Sequence, residues 1–223
     1  MSHSLWQTLL QHLDAPGNRE AFQYPGINLG ADHEDVGSEV ESLQFGFWVF
    51  LMSDAILFGL AFATYVTLLP GTAGAPDGRA LYDLGSVFVQ TLLLLTSSFT
   101  FGLASMAMKY RHPTHELVGW LVVTLLLGLA FLFFEGRDFS AMLAAGGLPS
   151  RSGFLSGFWG LVPLHGLHVA AGCLWLLAML GQIARYGVDR DVKLGLLRLA
   201  LFWHFLDIVW IFIFSVVYLG ALA

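Results

Sequence analysis

Phe202 to Trp210, read as FWHFLDIVW, places a histidine and a carboxylate inside the last apolar stretch of the chain. An aspartate at the centre of a membrane helix costs roughly 2.5–3.5 kcal/mol on insertion scales, so Asp207 is expected to face protein, water or lipid headgroups instead of acyl chain. His204 and Asp207 are three residues apart and therefore share one helical face. Three further sites of the same kind precede them. Asp54 lies about ten residues into the first apolar stretch, as Met52-Ser53-Asp54. Glu135 stands where the third stretch gives way to Gly136, Arg137 and Asp138, and His165 and His168 lie in LHGLH, on one face of the fourth. These residue types leave several chemistries open. Neutral imidazoles can hydrogen-bond between helices, ligate a haem or metal, or relay protons with the acids. Asp54 is expected to be protonated, paired, or bound to a polar lipid or water. Glu135 is expected either to reach the aqueous boundary or to serve a function.

The elements that must position these groups follow from composition. With 57% hydrophobic residues, 12% charged residues and 19 phenylalanines, the chain is too apolar for an ordinary soluble domain. Five apolar runs, at about 45–69, 84–108, 117–134, 154–184 and 194–222, are each long enough to cross a bilayer. The expected fold is therefore all-α, a polytopic bundle of five transmembrane helices over residues 45–223. Residues 1–44 differ in kind, holding Asp14, Glu20, Asp32, Glu34, Asp35, Glu39 and Glu41 against Arg19. They read as an acidic polar tail with no removable signal peptide, so the first span would itself direct insertion. Positive residues are retained on the cytoplasmic side of a membrane. Alternate connections set Arg19, Lys109, Arg111, Arg185, Arg190, Lys193 and Arg198 against Arg79, Arg137 and Arg151, which predicts a cytoplasmic N-terminus and a periplasmic C-terminus.

Other patterns are structural. The pairs Gly59/Ala63, Ser98/Gly102 and Gly153/Gly157 are spaced for close helix packing. Pro163 removes a backbone donor just before His165 and is expected to kink the fourth helix. The lone Cys173 excludes an intrachain disulfide. Gly71 to Gly78 reads as a turn. A net charge of −6 argues against nucleic-acid binding. No phosphate loop, nucleophile elbow or HExxH motif occurs. A membrane b-type haem takes two histidines from facing helices. Only His165, His168 and His204 lie at depth, so a haem or metal on this chain is the weaker reading of them.

Three blocks in order, FGFWVFLMSDAILF (45–58), RSGFLSGFWGLVPLHGLH (151–168) and LFWHFLDIVW (201–210), resemble subunit III of the haem-copper terminal oxidases, and among them that of the cytochrome bo-type ubiquinol oxidases. The resemblance implies a non-catalytic subunit of the bacterial inner membrane, beside the redox subunit of an assembly that passes electrons from ubiquinol to oxygen and pumps protons. It places haems and copper in the partner catalytic subunit I and none on this chain. Subunits II and IV would be further partners, and phospholipid a possible bound group, although the seven-helix members hold lipid in a cleft part of which is missing from a five-helix chain. By position, the family's membrane-embedded carboxylate falls on Asp54, its next acid on Glu135, and its HGxH and WHFxDxVW patterns on His165, His168, His204 and Asp207. Trp48, Trp203 and Trp210 are expected to pack. The resemblance implies roles in assembly, lipid binding and sustained proton uptake. Alternatives are subunit III of a cytochrome c oxidase, a small b-type cytochrome, and a proton or solute transporter.

Overall fold

A computed structural model describes residues 34–74, 82–110 and 113–222; the acidic segment 1–33, most of the turn after Gly74, and Arg79 and Arg111 lie outside the described residues. Every regular element among the described residues is helical: α1 Glu34–Leu68, α2 Leu84–Lys109, α3 Thr114–Ala144, α4 Gly153–Tyr186 and α5 Arg190–Ile213. A 3-10 turn, Pro149–Arg151, precedes α4, and α5 runs on into a wider π-type segment, Phe214–Leu219. Five helices, bounded at Gln44–Leu68, Leu84–Lys109, Thr114–Ala144, Gly153–Tyr186 and Arg190–Leu219, are long and apolar enough to cross a membrane. That agrees with the all-α, five-span expectation.

The helix starts are written locally. Backbone N–H groups at the start of a helix lack intrahelical acceptors, and a short polar side chain just before it satisfies them. Asp83 accepts from the Gly85 and Ser86 amides at 3.1 and 3.3 Å, Ser152 from Leu155 at 3.1 Å, and Asp189 from Val192 at 3.0 Å. At the other end of α4, Gly187 turns the chain at φ 78°, a conformation that disfavours a side chain, and its N–H reaches the Ile183 carbonyl at 2.9 Å.

The boundaries differ most at two places: α1 begins at Glu34, inside the segment read as a polar tail, and α3 runs past its expected end. The third span does not end near Phe134; α3 continues to Ala144, so Glu135 sits within the helix and not at its end. The charged run after it stays helical because its charges find partners. Gln90 of α2 donates to the Asp138 carboxylate at 2.7 Å, and Arg137 donates to Ser86 at 3.2 Å while its guanidinium covers the Phe134 ring at 5.2 Å. A charge that is hydrogen-bonded to a neighbouring helix no longer has to leave it.

Packing centres on α4, which contacts α1, α3 and α5, while α2 pairs with α3 and α5. α1 lies at the edge and turns Trp48, Phe50, Ile56 and Leu60 outward. Phe58, Tyr65, Phe101, Phe131, Phe158 and Trp210 are fully enclosed. Of the three small-residue pairs, Gly153/Gly157 brings α4 onto α1, where a Cβ at residue 157 would come within 3.1 Å of the Tyr65 backbone. Gly59 and Gly102 do not make close contacts inside this chain, since a Cβ at either would meet nothing within 4 Å. Close fits also fall on glycines the spacing did not mark: a Cβ at Gly128 would lie 2.9 Å, and one at Gly172 3.1 Å, from the Trp203 ring. Trp203 is thus clamped between α3 and α4. α4 remains continuous through Pro163.

Adding a methyl group to a filled core forces neighbours to move and costs about 1–3 kcal/mol. Gly128→Ala should therefore lower the thermal unfolding midpoint in mild detergent, whereas Gly119→Ala, where a Cβ meets nothing within 4 Å, should leave it unchanged or raise it.

Candidate functional site

The intramembrane polar groups form several small sites, each built where two helices meet. At the junction of α1 and α4, Asp54 is 8% exposed and its Oδ2 lies 3.7 Å from His168 Nε2. That separation exceeds a hydrogen bond, so it is an ion pair only when the imidazole is protonated. His168 Nδ1 lies 2.8 Å from the Leu164 carbonyl, which can only accept, so Nδ1 carries a proton and Nε2 faces the acid. Phe58 covers the imidazole with ring centroids 5.1 Å apart.

His165, one turn earlier, points into the core. It is fully buried, stacked on Trp210 at 5.3 Å, with the edges of Phe131 at 5.9 Å and Phe58 at 6.3 Å closing around it. Neither ring nitrogen has a hydrogen-bond partner among the described residues. The two histidines of LHGLH thus share a side of α4 and the Phe58 ring, but His165 packs on Trp210 and Phe131 while His168 faces Asp54. Glu135, 3% exposed, lies across α4 at Gly166, where a Cβ would come within 2.5 Å of its Oε2. The glycine between the two histidines is what admits the carboxyl group. Reaching the aqueous boundary, one of the two readings open for Glu135, is excluded by this burial.

The junction of α2 and α5 is different again. Trp203 and Trp210, 3% and 0% exposed, donate their indole N–H groups to Ser97 Oγ and Thr91 Oγ1, each at 3.0 Å. His204 Nδ1 lies 2.6 Å from Ser98 Oγ, and Phe101 presents an edge to the imidazole at 6.3 Å. So the His204 bond runs to Ser98 and not to Asp207, and the imidazole is exposed at the side of the bundle. Asp207 is half-buried, with its Oδ1 enclosed and unpartnered among the described residues. Trp48 is 46% exposed on α1 and takes no part in these junctions.

Sequence reading missed the partners more than the principals. Gln90, Ser97, Ser98, Thr91 and the Thr100–Thr124 pair at 2.8 Å join α2 to its neighbours. Their signal was present as a polar residue at each turn of an otherwise apolar second span. Among the described residues no three His, Cys, Asp or Glu side chains converge as a metal would require. What the arrangement can do is bind helix to helix and present single acids and imidazoles at chosen depths.

The Glu135–Gly166 contact is testable by a double-mutant cycle. Gly166→Ala should cost about 1–3 kcal/mol of stability, and much of that loss should vanish when Glu135→Ala is also present, because the colliding carboxyl group is gone. Additive losses in the thermal midpoints would contradict the contact.

Comparison with known proteins finds relatives over most of the chain. Residues 28–221 match the family model described as cytochrome c oxidase subunit III. The cytochrome bo(3) ubiquinol oxidase subunit 3 of Pseudomonas aeruginosa is 47% identical over 195 residues, covering 87% of this chain and 93% of the relative. The protein of the same name from Pseudomonas putida is 48% identical over 174 residues, covering 78% and 84%. The cytochrome c oxidase subunit 3 of Alkalihalophilus pseudofirmus is 42% identical over 175 residues, covering 78% and 84%. With a family model spanning most of its length and relatives this similar over nearly all of theirs, the chain belongs to the cytochrome c oxidase subunit III family.

Proposed function

We propose that this chain acts as the third, non-redox subunit of a haem-copper terminal oxidase of the bo(3) ubiquinol-oxidising type, as a multi-pass protein of the bacterial inner membrane. The observation that carries this reading is near-complete coverage of relatives bearing the name ubiquinol oxidase subunit 3, joined to five helices able to span the bilayer. A cytochrome c oxidase role is the second reading, favoured by the similarity to the Alkalihalophilus pseudofirmus protein. The choice of electron donor belongs to other subunits in either case.

The finer reading concerns what the polar sites do. Oxygen reduction requires haem and copper, which we assign to the catalytic subunit I; subunits II and IV complete the assembly. On this chain the tryptophan indoles, Gln90, Asp138 and Ser98 are engaged in joining helices. Such bonds replace the hydration that hydrocarbon cannot offer. Asp54, 8% exposed, and the partly exposed His168 meet at the α1–α4 junction, where an acid and an imidazole suit the polar part of a lipid or the surface of a neighbouring subunit. We assign them to sustaining the assembly and its proton supply over many turnovers. The distribution of lysine and arginine supports a cytoplasmic N-terminus.

Purification in mild detergent tests the reading. The chain should copurify with a large haem-bearing polypeptide, and recovery free of it would contradict the function. Within that complex, Asp54→Asn should leave the initial rate of oxygen consumption within about twofold of the parent, a change of under ~0.5 kcal/mol in activation free energy. It should shorten the time over which the rate is sustained. An immediate loss of most activity would mean that Asp54 serves the reaction directly.

A further inference from the structure

We infer that the interior bounded by Glu135 of α3, Tyr65 of α1, Tyr82 ahead of α2 and Tyr218 of the π-type segment binds a small cluster of ordered water molecules, which hydrogen-bonds the buried carboxyl group to the phenol hydroxyls. Water is bound here whatever the chain assembles with, because the site is built from this chain alone. Tyr65, Glu135 and Tyr218 are 0%, 3% and 6% exposed, and Tyr82, two residues before α2 begins, is partly exposed at the rim. Tyr218 lies within electrostatic reach of Glu135 and Tyr65, and Tyr82 within reach of Tyr65 and Tyr218. The rings of Tyr82 and Tyr218 are 4.9 Å apart. Tyr218 is carried there by the wider turns of Phe214–Leu219, a geometry frequent at functional sites.

Three enclosed polar atoms of this group, the Tyr65 hydroxyl, the Tyr82 hydroxyl and Glu135 Oε1, have no hydrogen-bond partner among the described residues. A buried polar group left unpaired loses its hydration and gains nothing in return, so such groups are bonded to protein or to ordered water. The polar side chains nearby are already engaged. Asp138 accepts from Gln90 at 2.7 Å, Ser86 from Arg137 at 3.2 Å, and the Trp210 indole donates to Thr91 at 3.0 Å. Elsewhere the wall is aromatic, with Phe154 6.0 Å from the Tyr65 ring, Phe158 5.3 Å from Tyr82 and Trp210 6.2 Å from Tyr218. A bound cation does not suit the group, since among the described residues no three acids, histidines or cysteines converge. Water does suit it. One molecule donates and accepts at once, so a few of them satisfy hydroxyls and a carboxyl oxygen that do not bond one another. The partly exposed edge of Tyr82 is the way in from the end of the bundle where α2 begins.

The full chain, purified in mild detergent with whatever partners it retains, serves for two measurements. Cryo-electron microscopy, at a resolution that shows ordered water elsewhere in the same particle, should reveal water within hydrogen-bond distance of Glu135 Oε1 and of at least one of the Tyr65 and Tyr82 hydroxyls. Phenols bonded directly to each other or to the carboxyl group, with no water between them, would overturn the inference. Thermal unfolding reads the energetics. Tyr65→Phe and Tyr82→Phe remove one oxygen each and keep the ring, so both variants should fold. If water holds the hydroxyls, each change should lower the midpoint by about 2–4 °C relative to the parent, the effect of one net hydrogen bond in a chain of this length. Tyr186→Phe, at a position 67% exposed, sets the baseline. Deleting a hydroxyl that has no partner instead relieves a desolvation cost. Midpoints unchanged or raised in both phenylalanine variants would therefore overturn the water site.

Discussion

Hydrocarbon offers a polar atom no hydrogen-bond partner, and this constraint governs the architecture. Backbone groups meet it by forming helices, and Gln90, Thr91, Ser97 and Ser98 meet it at the helix junctions, whereas the His165 nitrogens have no partner among the described residues. Trp203 and Trp210 show how the two demands combine. Each fills space between helices with its ring while its indole N–H reaches a hydroxyl on α2, so one residue both packs and joins. The glycines at 128 and 172 exist in this account to make room for the first of these rings. Gly166 does the same for the Glu135 carboxyl group.

From that constraint follows a division of labour among the helices. α4 is the hub, since its glycines, histidines and core side chains receive α1, α3 and α5 in turn. α2 supplies the hydroxyl groups that α5 needs. α1 is fastened mainly to α4, by Gly153 and Gly157 at one end and by the Asp54–His168 contact deeper in, and leaves a broad apolar surface outside. A subunit built this way is stable through its internal joints. Of its intramembrane ionisable groups, Asp54, Glu135 and His165 are buried and His204 is exposed at the side of the bundle.

Five apolar runs were plain in the sequence because the bilayer imposes a length and a composition that nothing else mimics. The same logic identified Asp54, Glu135, His165, His168, His204 and Asp207, since an ionisable residue stands out against hydrocarbon. Helix ends and pairings were less legible. Glu135-Gly-Arg-Asp looked like an exit from the membrane, and only the positions of Gln90 and Ser86 on the neighbouring helix explain why α3 continues through it. His204 and Asp207 share a face by spacing, yet the group that His204 bonds lies on α2, more than a hundred residues earlier in the chain. Periodicity reports which side of a helix is polar and is silent about what stands opposite. The small pairs behaved in the same way. Gly153/Gly157 meets a helix of this chain and Gly102 meets none.

The central claim is that these intramembrane acids and imidazoles serve packing and assembly, and hold no prosthetic group. The most direct measurement is the haem, iron and copper content of the chain after it has been separated from its partners in detergent and kept folded. The account predicts a colourless protein with far less than one equivalent of iron or copper. Stoichiometric metal, or a haem absorption band lost on His165→Leu or His168→Leu, would contradict it.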